Sequence, residues 1–205
     1  MRGDAFAVFD SHGDLHPGGP NDHGLFYKEA RHLSKGILRL AEMPLTLLSS
    51  TVRDDGALLA VDLTNSEIDP PCGVKLLRGV LHIHRTKFLW RGACQELIEI
   101  HNYGLVSACS ELVLEFAADF VDIFEVRGYK RSRRGRILEP QLDRSGVTLA
   151  YEGLDGLLRT TKMECSAAVA RVAAGEMRIP FTLAAGERTA FTITASCVSG
   201  DGMAS

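Results

Sequence analysis

The 205-residue sequence lacks several features that would narrow its function at once. It has no apolar run near the roughly 20 residues that a membrane-crossing helix requires; the candidates at 57–61 and 167–174 are short or interrupted by Arg171. Its five cysteines, Cys72, Cys94, Cys109, Cys165 and Cys197, are odd in number, widely spaced and free of any C-x-x-C. That excludes a disulfide framework and a zinc knuckle, and fits reduced, packed thiols. No apolar leader follows Met1, since Asp4 and Asp10 come early, so a cytoplasmic location and no membrane association are expected. G-x-G-x-x-G, Walker and G-x-S-x-G patterns are all missing, which removes dinucleotide folds, phosphate loops and the nucleophile elbow. Neither charge sign dominates: 23 Lys and Arg stand against 26 Asp and Glu, for a net −3.

What the sequence does have is the composition of an ordinary globular domain, 45% apolar and 24% charged. Runs of five to ten residues rich in Val, Ile, Leu, Phe and Thr recur along the chain, each closed by Gly, Asp or Asn. This rhythm predicts about a dozen strands and no full-length amphipathic helix. Segments 45–52 and 57–63 around Asp54-Asp55-Gly56, and 147–151 and 157–163 around Asp155-Gly156, read as hairpins. The alternating runs 177–183 and 191–195 read as a third. Segment 120–126 is apolar on both parities and predicts a strand covered on both faces, while weak helical turns are expected near 28–33 and 167–173. The expected architecture is all-β, a large antiparallel β-sandwich of the supersandwich type, with one domain over 1–198 and a flexible tail or linker start at 199–205.

Three constellations bear on chemistry. His82-x-His84 places two imidazoles on one strand face, and His101 is a third candidate metal ligand. The Glu that a cupin metal site needs after the second His is absent, and Arg85 and Lys87 stand beside the pair, so no metal is expected. Asp119, Asp122 and Glu125 lie close to Arg127; Asp119 and Glu125 admit an acid and base reading of the glycosidase kind. Pairing of Asp122 or Glu125 with an arginine that pins the strand is preferred. Segment 129–136 carries five basic residues and no acid, leaving the rest of the chain at 18 against 26. With Tyr129 as its only stacking aromatic, it reads as a solvated loop or a docking surface for an acidic partner rather than a nucleic-acid site. Trp90 and Tyr103 are the obvious flat platforms for a sugar, and Trp90, in an apolar run, is assigned to the core.

The segments Gly24–Tyr27, Arg31–Ser34, Leu47–Ser50, Asp62–Asn65, Arg85–Trp90, His101–Gly104, Asp119–Gly128 and Tyr151–Gly156 together resemble the N-terminal domain of bacterial-type glycogen debranching enzymes, the amylo-α-1,6-glucosidase family. The resemblance runs from about Phe6 to the last strand. One departure is Glu29-Ala30-Arg31, where the family usually shows Asp-Thr-Arg. The resemblance implies a β-sandwich that precedes an (α/α) barrel carrying the hydrolytic carboxylates. This chain ends before any barrel, so no catalytic residue and no cofactor are expected within it. The implied role is to support or shape the substrate groove, with Arg31, His32, Arg53, Asp54, Asp119, Asp122, Glu125 and Arg127 as candidate substrate or interdomain contacts. The barrel domain is the expected partner, and glycogen or another α-glucan the expected ligand. A free-standing carbohydrate-binding or assembly protein is the alternative, and a metal enzyme built on His82, His84 and His101 a third reading.

Overall fold

A computed structural model describes residues 5–18, 22–53, 56–69, 74–144, 146–167 and 171–201. The strands are β1 (Ala5–Val8), β2 (Gly24–Tyr27), β3 (Ala30–Leu33), β4 (Lys35–Leu40), β5 (Met43–Pro44), β6 (Thr46–Val52), β7 (Leu58–Thr64), β8 (Leu81–Trp90), β9 (Ala93–Asn102) and β10 (Ala108–Ala117). One helical turn, α1 (Ile123–Val126), comes next. Then follow β11 (Arg136–Ile137), β12 (Gln141–Leu142), β13 (Gly146–Glu152), β14 (Leu157–Cys165), β15 (Arg171–Ala173), β16 (Glu176–Leu183) and β17 (Arg188–Asp201). Four of these strands, β5, β11, β12 and β15, are only two or three residues long.

The strands form a nine-stranded sheet in the order β11-β13-β14-β17-β9-β8-β7-β6 with β12 beside β13, a five-stranded sheet β15-β16-β10-β4-β5, and a three-stranded sheet β1-β2-β3. Every pairing is antiparallel. Period-2 alternation turns Leu81 and Ile83 of β8, Ile98 and Ile100 of β9 and Ile193 of β17 to one side of the large sheet. There they join Leu38 and Leu40 of β4, Leu112 and Leu114 of β10 and Met177, Ile179 and Phe181 of β16 in one core. The fold is therefore the expected all-β sandwich.

The hairpins with Asp-Gly turns form as expected, β6 on β7 and β13 on β14. The third does not. β16 pairs with β10 and β15, whereas β17 pairs with β9 and β14, so the connection 184–187 crosses from one sheet to the other. Alternation fixes which side chains point inward but not which sheet a strand joins. Neither expected helical turn is present among the described residues. Segment 28–33 is instead the β2–β3 hairpin, whose two turn residues Lys28 and Glu29 have φ of 44° and 66°; positive φ at both central positions is the type I′ condition. Residues 171–173 form β15, and 168–170 lie outside the described residues. Trp90 is also not core: it is 62% exposed beside the tight Arg91-Gly92 turn, with the Arg91 guanidinium 5.4 Å from its ring.

One buried feature runs against the usual distribution of charge. Arg85 and Lys87 share the inward face of β8, opposite to His82 and His84, and Arg85 is 1% exposed. Its Nε donates to Glu96 Oε1 at 2.6 Å and its Nη1 to Asp14 Oδ1 at 2.6 Å and His12 O at 2.7 Å. Lys87 Nζ donates to Glu96 Oε2 at 2.6 Å. Burial alone would raise the Glu96 pKa, but Arg85 and Lys87 outweigh it and hold the carboxyl at about 2. The network fastens the loop at 12–14 to the inside of the large sheet.

Candidate functional site

At the β13–β14 end of the large sheet an open cleft of about 330 Å³ is lined by parts that lie far apart in sequence. The β2–β3 turn supplies Lys28, Glu29 and Ala30; the start of α1 supplies Asp122 and Glu125. The basic segment supplies Arg131, Arg133 and Arg134, and the β13–β14 hairpin supplies Tyr151, Leu154, Asp155 and Arg159. Phe120 also lines the cleft and stacks on Tyr151, ring centroids 5.8 Å apart and planes 9° from parallel.

Segment 120–126 is not the doubly covered strand that its composition predicts. Residues 120–123 add to the edge of β3: Phe120 N donates to Arg31 O, Arg31 N to Val121 O, and Ile123 N to Glu29 O at 2.8–3.1 Å. The chain then turns into α1, because Asp122-x-x-Glu125 is a capping box. Asp122 Oδ1 accepts from the Phe124 and Glu125 amides at 2.8 and 2.9 Å, and Glu125 Oε2 accepts from the Asp122 amide at 3.2 Å. Phe124, expected inside, is left exposed.

The carboxylates here face cations. Asp119 takes a two-pronged pair from Arg31, at 3.1 Å from Nε and 2.5 Å from Nη2. Asp122 pairs with Arg131, and Glu125 stands 3.7 Å from Arg131 and 3.6 Å from Arg134. Burial pushes the Asp122 carboxyl upward, but the Glu125 amide, Arg131 and the Phe124 amide together bring its pKa below the usual value. Asp155, hydrogen-bonded by Arg159 at 2.7 and 3.1 Å, is held at about 2. Arg131 and Arg134 of the basic segment therefore fold back on the acids of α1, while the segment itself is exposed to solvent as expected. Gly135 at its end donates its N–H to the Tyr151 hydroxyl at 2.7 Å, and a Cβ there would lie 1.9 Å from Glu152 O, so only glycine fits this crossing.

Beneath the cleft lies His32, 0% exposed, with its ring edge-on to Phe120 at 5.4 Å and to Tyr27 at 5.8 Å. Burial is the main cause of its pKa falling from 6.5 to about 4; the Thr160 carbonyl works in the opposite direction and Arg159 reinforces the fall. It is neutral at pH 7.

Of the residues singled out from sequence, the fold gathers Arg31, His32, Asp119, Asp122 and Glu125 at this place. Arg127 caps the end of α1 on the exposed side. Arg53 belongs to the β6–β7 tip at the opposite margin of the sheet, and Asp54 lies outside the described residues. Lys28 and Arg159 carry no sequence signal beyond their turn and strand positions, whereas Glu29, Tyr151 and Asp155 fall in segments that carry the family resemblance without standing out there as contacts. His82 and His84 both hydrogen-bond Asp62 Oδ1, at 2.9 and 2.8 Å, and His101 packs on Tyr103. Among the described residues the one group whose ligand atoms converge within 4.8 Å is instead Asp10, Asp14 and His16. Asp14 there is committed to Arg85, and Asp10 to the His12 and Asp14 amides at 2.8 Å. No helix among the described residues is long and apolar enough to cross a membrane.

Comparison with known proteins bears on the fold and the family. No curated protein matches the sequence. Among solved structures, a protein described as a kojibiose phosphorylase from human microbiome aligns with a TM-score of 0.64 at 10% identity, over 99% of this chain and 30% of its own. The chain thus spans about a third of that protein's length. A heparan sulfate lyase from Pedobacter heparinus (TM-score 0.34, 11% identity, 94% of this chain and 29% of its own) and an aldose 1-epimerase-like protein from Escherichia coli K12 (0.34, 10%, 76% and 68%) align more loosely. At such identities the first likeness speaks for the fold alone. The family described as the N-terminal domain of (some) glycogen debranching enzymes matches residues 1–194. With nearly the whole chain matched and the β-sandwich in place, the chain belongs to this family of glycogen debranching enzyme N-terminal domains.

Proposed function

We propose that the chain is the non-catalytic sandwich module of an amylo-α-1,6-glucosidase-type enzyme of the cytoplasm, and that its cleft forms part of the wall along which an α-glucan chain is held against an (α/α) barrel domain. The observation that carries this reading is the state of the cleft carboxylates. A glycosidase needs one carboxyl kept protonated by a raised pKa, yet Asp122 and Asp155 are both lowered and the Arg31, Arg131, Arg134 and Arg159 guanidiniums engage the acids of the site. Neither Asp122 nor Asp155 is poised to protonate a glycosidic oxygen. The lining is suited to positioning, since guanidiniums and carboxylates hydrogen-bond hydroxyl groups from both sides and the Tyr151 ring offers apolar surface.

Affinity electrophoresis tests this. Glycogen in the gel is expected to retard the chain, and an Arg133→Ala, Arg134→Ala double substitution to abolish most of the retardation while the circular dichroism spectrum stays unchanged. Migration that glycogen leaves unaltered would refute the glucan reading of the cleft.

A further inference from the structure

Two unfavourable features meet on the floor of the cleft. The first is a hydrogen-bond acceptor without a donor. His32 Nδ1 faces Thr160 O at 3.2 Å and Thr161 Oγ1 at 3.1 Å. The Thr161 hydroxyl already donates its proton to His32 O at 2.9 Å, and Thr160 O is a carbonyl, so neither can donate to the ring. The imidazole proton must sit on Nδ1, which leaves Nε2 as a bare lone pair. That atom is fully buried and receives no hydrogen bond from the described residues. Buried polar atoms are nearly always paired, and an orphan calls for an explanation.

The second feature is the backbone of Phe120. Its φ is 50°, a region that bulky residues seldom enter. Lys28 and Glu29, which border the same space, also have positive φ, as their type I′ turn requires. Backbone held in sparsely populated regions tends to cluster where a protein binds or switches. The Phe120 ring packs edge-on to the His32 ring on one side and lines the cleft on the other, so it stands between the imidazole and the open space.

We propose that Phe120 is a gate over a hidden subsite, and that when its ring turns aside His32 Nε2 accepts a hydrogen bond from a hydroxyl group of an α-glucan chain lying in the cleft. This rests on the glucan reading above and adds to it a specific atom and a moving part. The chemistry selects the ligand class. A lone pair in an apolar pocket recognises a neutral O–H donor and gives nothing to a carboxylate or phosphate. The charged side chains of the cleft lining orient the remaining hydroxyl groups.

The test is nitrogen NMR of the uniformly ¹⁵N-labelled full chain, titrated with maltohexaose. In the free chain the His32 Nε2 resonance is expected at the position of an unprotonated nitrogen with no hydrogen-bond donor; saturation with maltohexaose moves it upfield, as acceptance of a hydrogen bond requires. In parallel, calorimetry of Phe120→Ala is expected to show maltohexaose binding about ten-fold tighter, equivalent to ~1.4 kcal/mol, because gate opening no longer opposes association. If maltohexaose shifts the Tyr151 and Arg134 signals but leaves His32 Nε2 unmoved, the gate is refuted and the cleft reading survives. If nothing moves at millimolar ligand, both fall. An Nε2 already hydrogen-bonded in the free chain would mean that a trapped water fills the site, and would also refute the gate. The wild-type spectrum decides the matter even if Phe120→Ala folds poorly.

Discussion

Acid should weaken this domain in a window set by one side chain. In the folded chain His32 titrates at about 4, and in the unfolded chain it regains the ordinary value of 6.5. Between those values the unfolded state binds more protons, so stability must fall as pH drops through 6.5 and the His32 contribution is gone near pH 4. With about 1.4 kcal/mol per pKa unit, the whole loss is about 3 kcal/mol, of which about 2 kcal/mol falls between pH 7 and pH 5. Against a total stability of about 5–15 kcal/mol for a domain, that is readily measured. Urea denaturation at pH 7 and pH 5, followed by far-ultraviolet circular dichroism, gives the difference for the wild type. The same pair of measurements on His32→Asn, which keeps a donor for Thr160 O, subtracts the contributions of the other histidines and carboxylates. The expected result is that the variant is about 2 kcal/mol less sensitive to the pH change. Equal sensitivity in both proteins, or a His32 ring that titrates near 6.5 in the folded chain, would refute the burial argument.

Two further outcomes follow from the core. Glu96→Gln leaves the Arg85 guanidinium buried with only Asp14 and carbonyl oxygens as partners, and breaking a buried pair in this way costs about 3–5 kcal/mol; a urea midpoint within error of wild type would contradict it. Burial pushes the Cys94 thiol up to about 11 and the Cys197 thiol up to about 12, the latter helped by neighbouring Cys94. Iodoacetamide at pH 8 is therefore expected to label both only when the chain is unfolded, and mass-spectrometric peptide mapping of native samples checks this, with prompt native labelling as the opposing result.

The sequence states local relations well and distant ones poorly, and the errors follow that line. Asp-Gly turns declare β6–β7 and β13–β14 because a two-strand hairpin is decided within about fifteen residues. β16 and β17 have equally clean alternation, yet alternation is silent about the sheet that receives each strand. In 120–126 the apolar content suggests a buried strand, while the Asp122-x-x-Glu125 spacing was the legible sign of a helical turn. Arg85 and Lys87 lie in phase with Leu81 and Ile83, so the pattern already turns them inward; their charge argues otherwise until Glu96 is found across the ladder. At the cleft, Arg31, Asp119, Asp122 and Glu125 stand out as charges beside apolar strands. Lys28, Asp155 and Arg159 do not, because ordinary surface residues at turns become a site only through the tertiary contacts that gather them.

The inward charges of β8 and β9 also bear on how the two strands find their alignment. Slipping one strand by a single residue would turn Leu81, Ile83, Ile98 and Ile100 out to water, and hydrophobicity alone forbids it. A slip of two residues keeps every one of those side chains inward, so hydrophobicity scarcely resists it. The ion pairs do. Lys87 stands directly across from Glu96, and Arg85 reaches that same carboxylate and Asp14 only in this alignment; moved by two, Glu96 would face Arg85 or Leu89 and at least one buried charge would be stranded. The network thus works as a vernier on the ladder, distinguishing alignments that the greasy face treats as equal. A chain with methionine at 85, 87 and 96 is then expected to keep its overall stability but to show doubled amide resonances along β8 and β9, and a single set would mean that the loops alone fix the alignment.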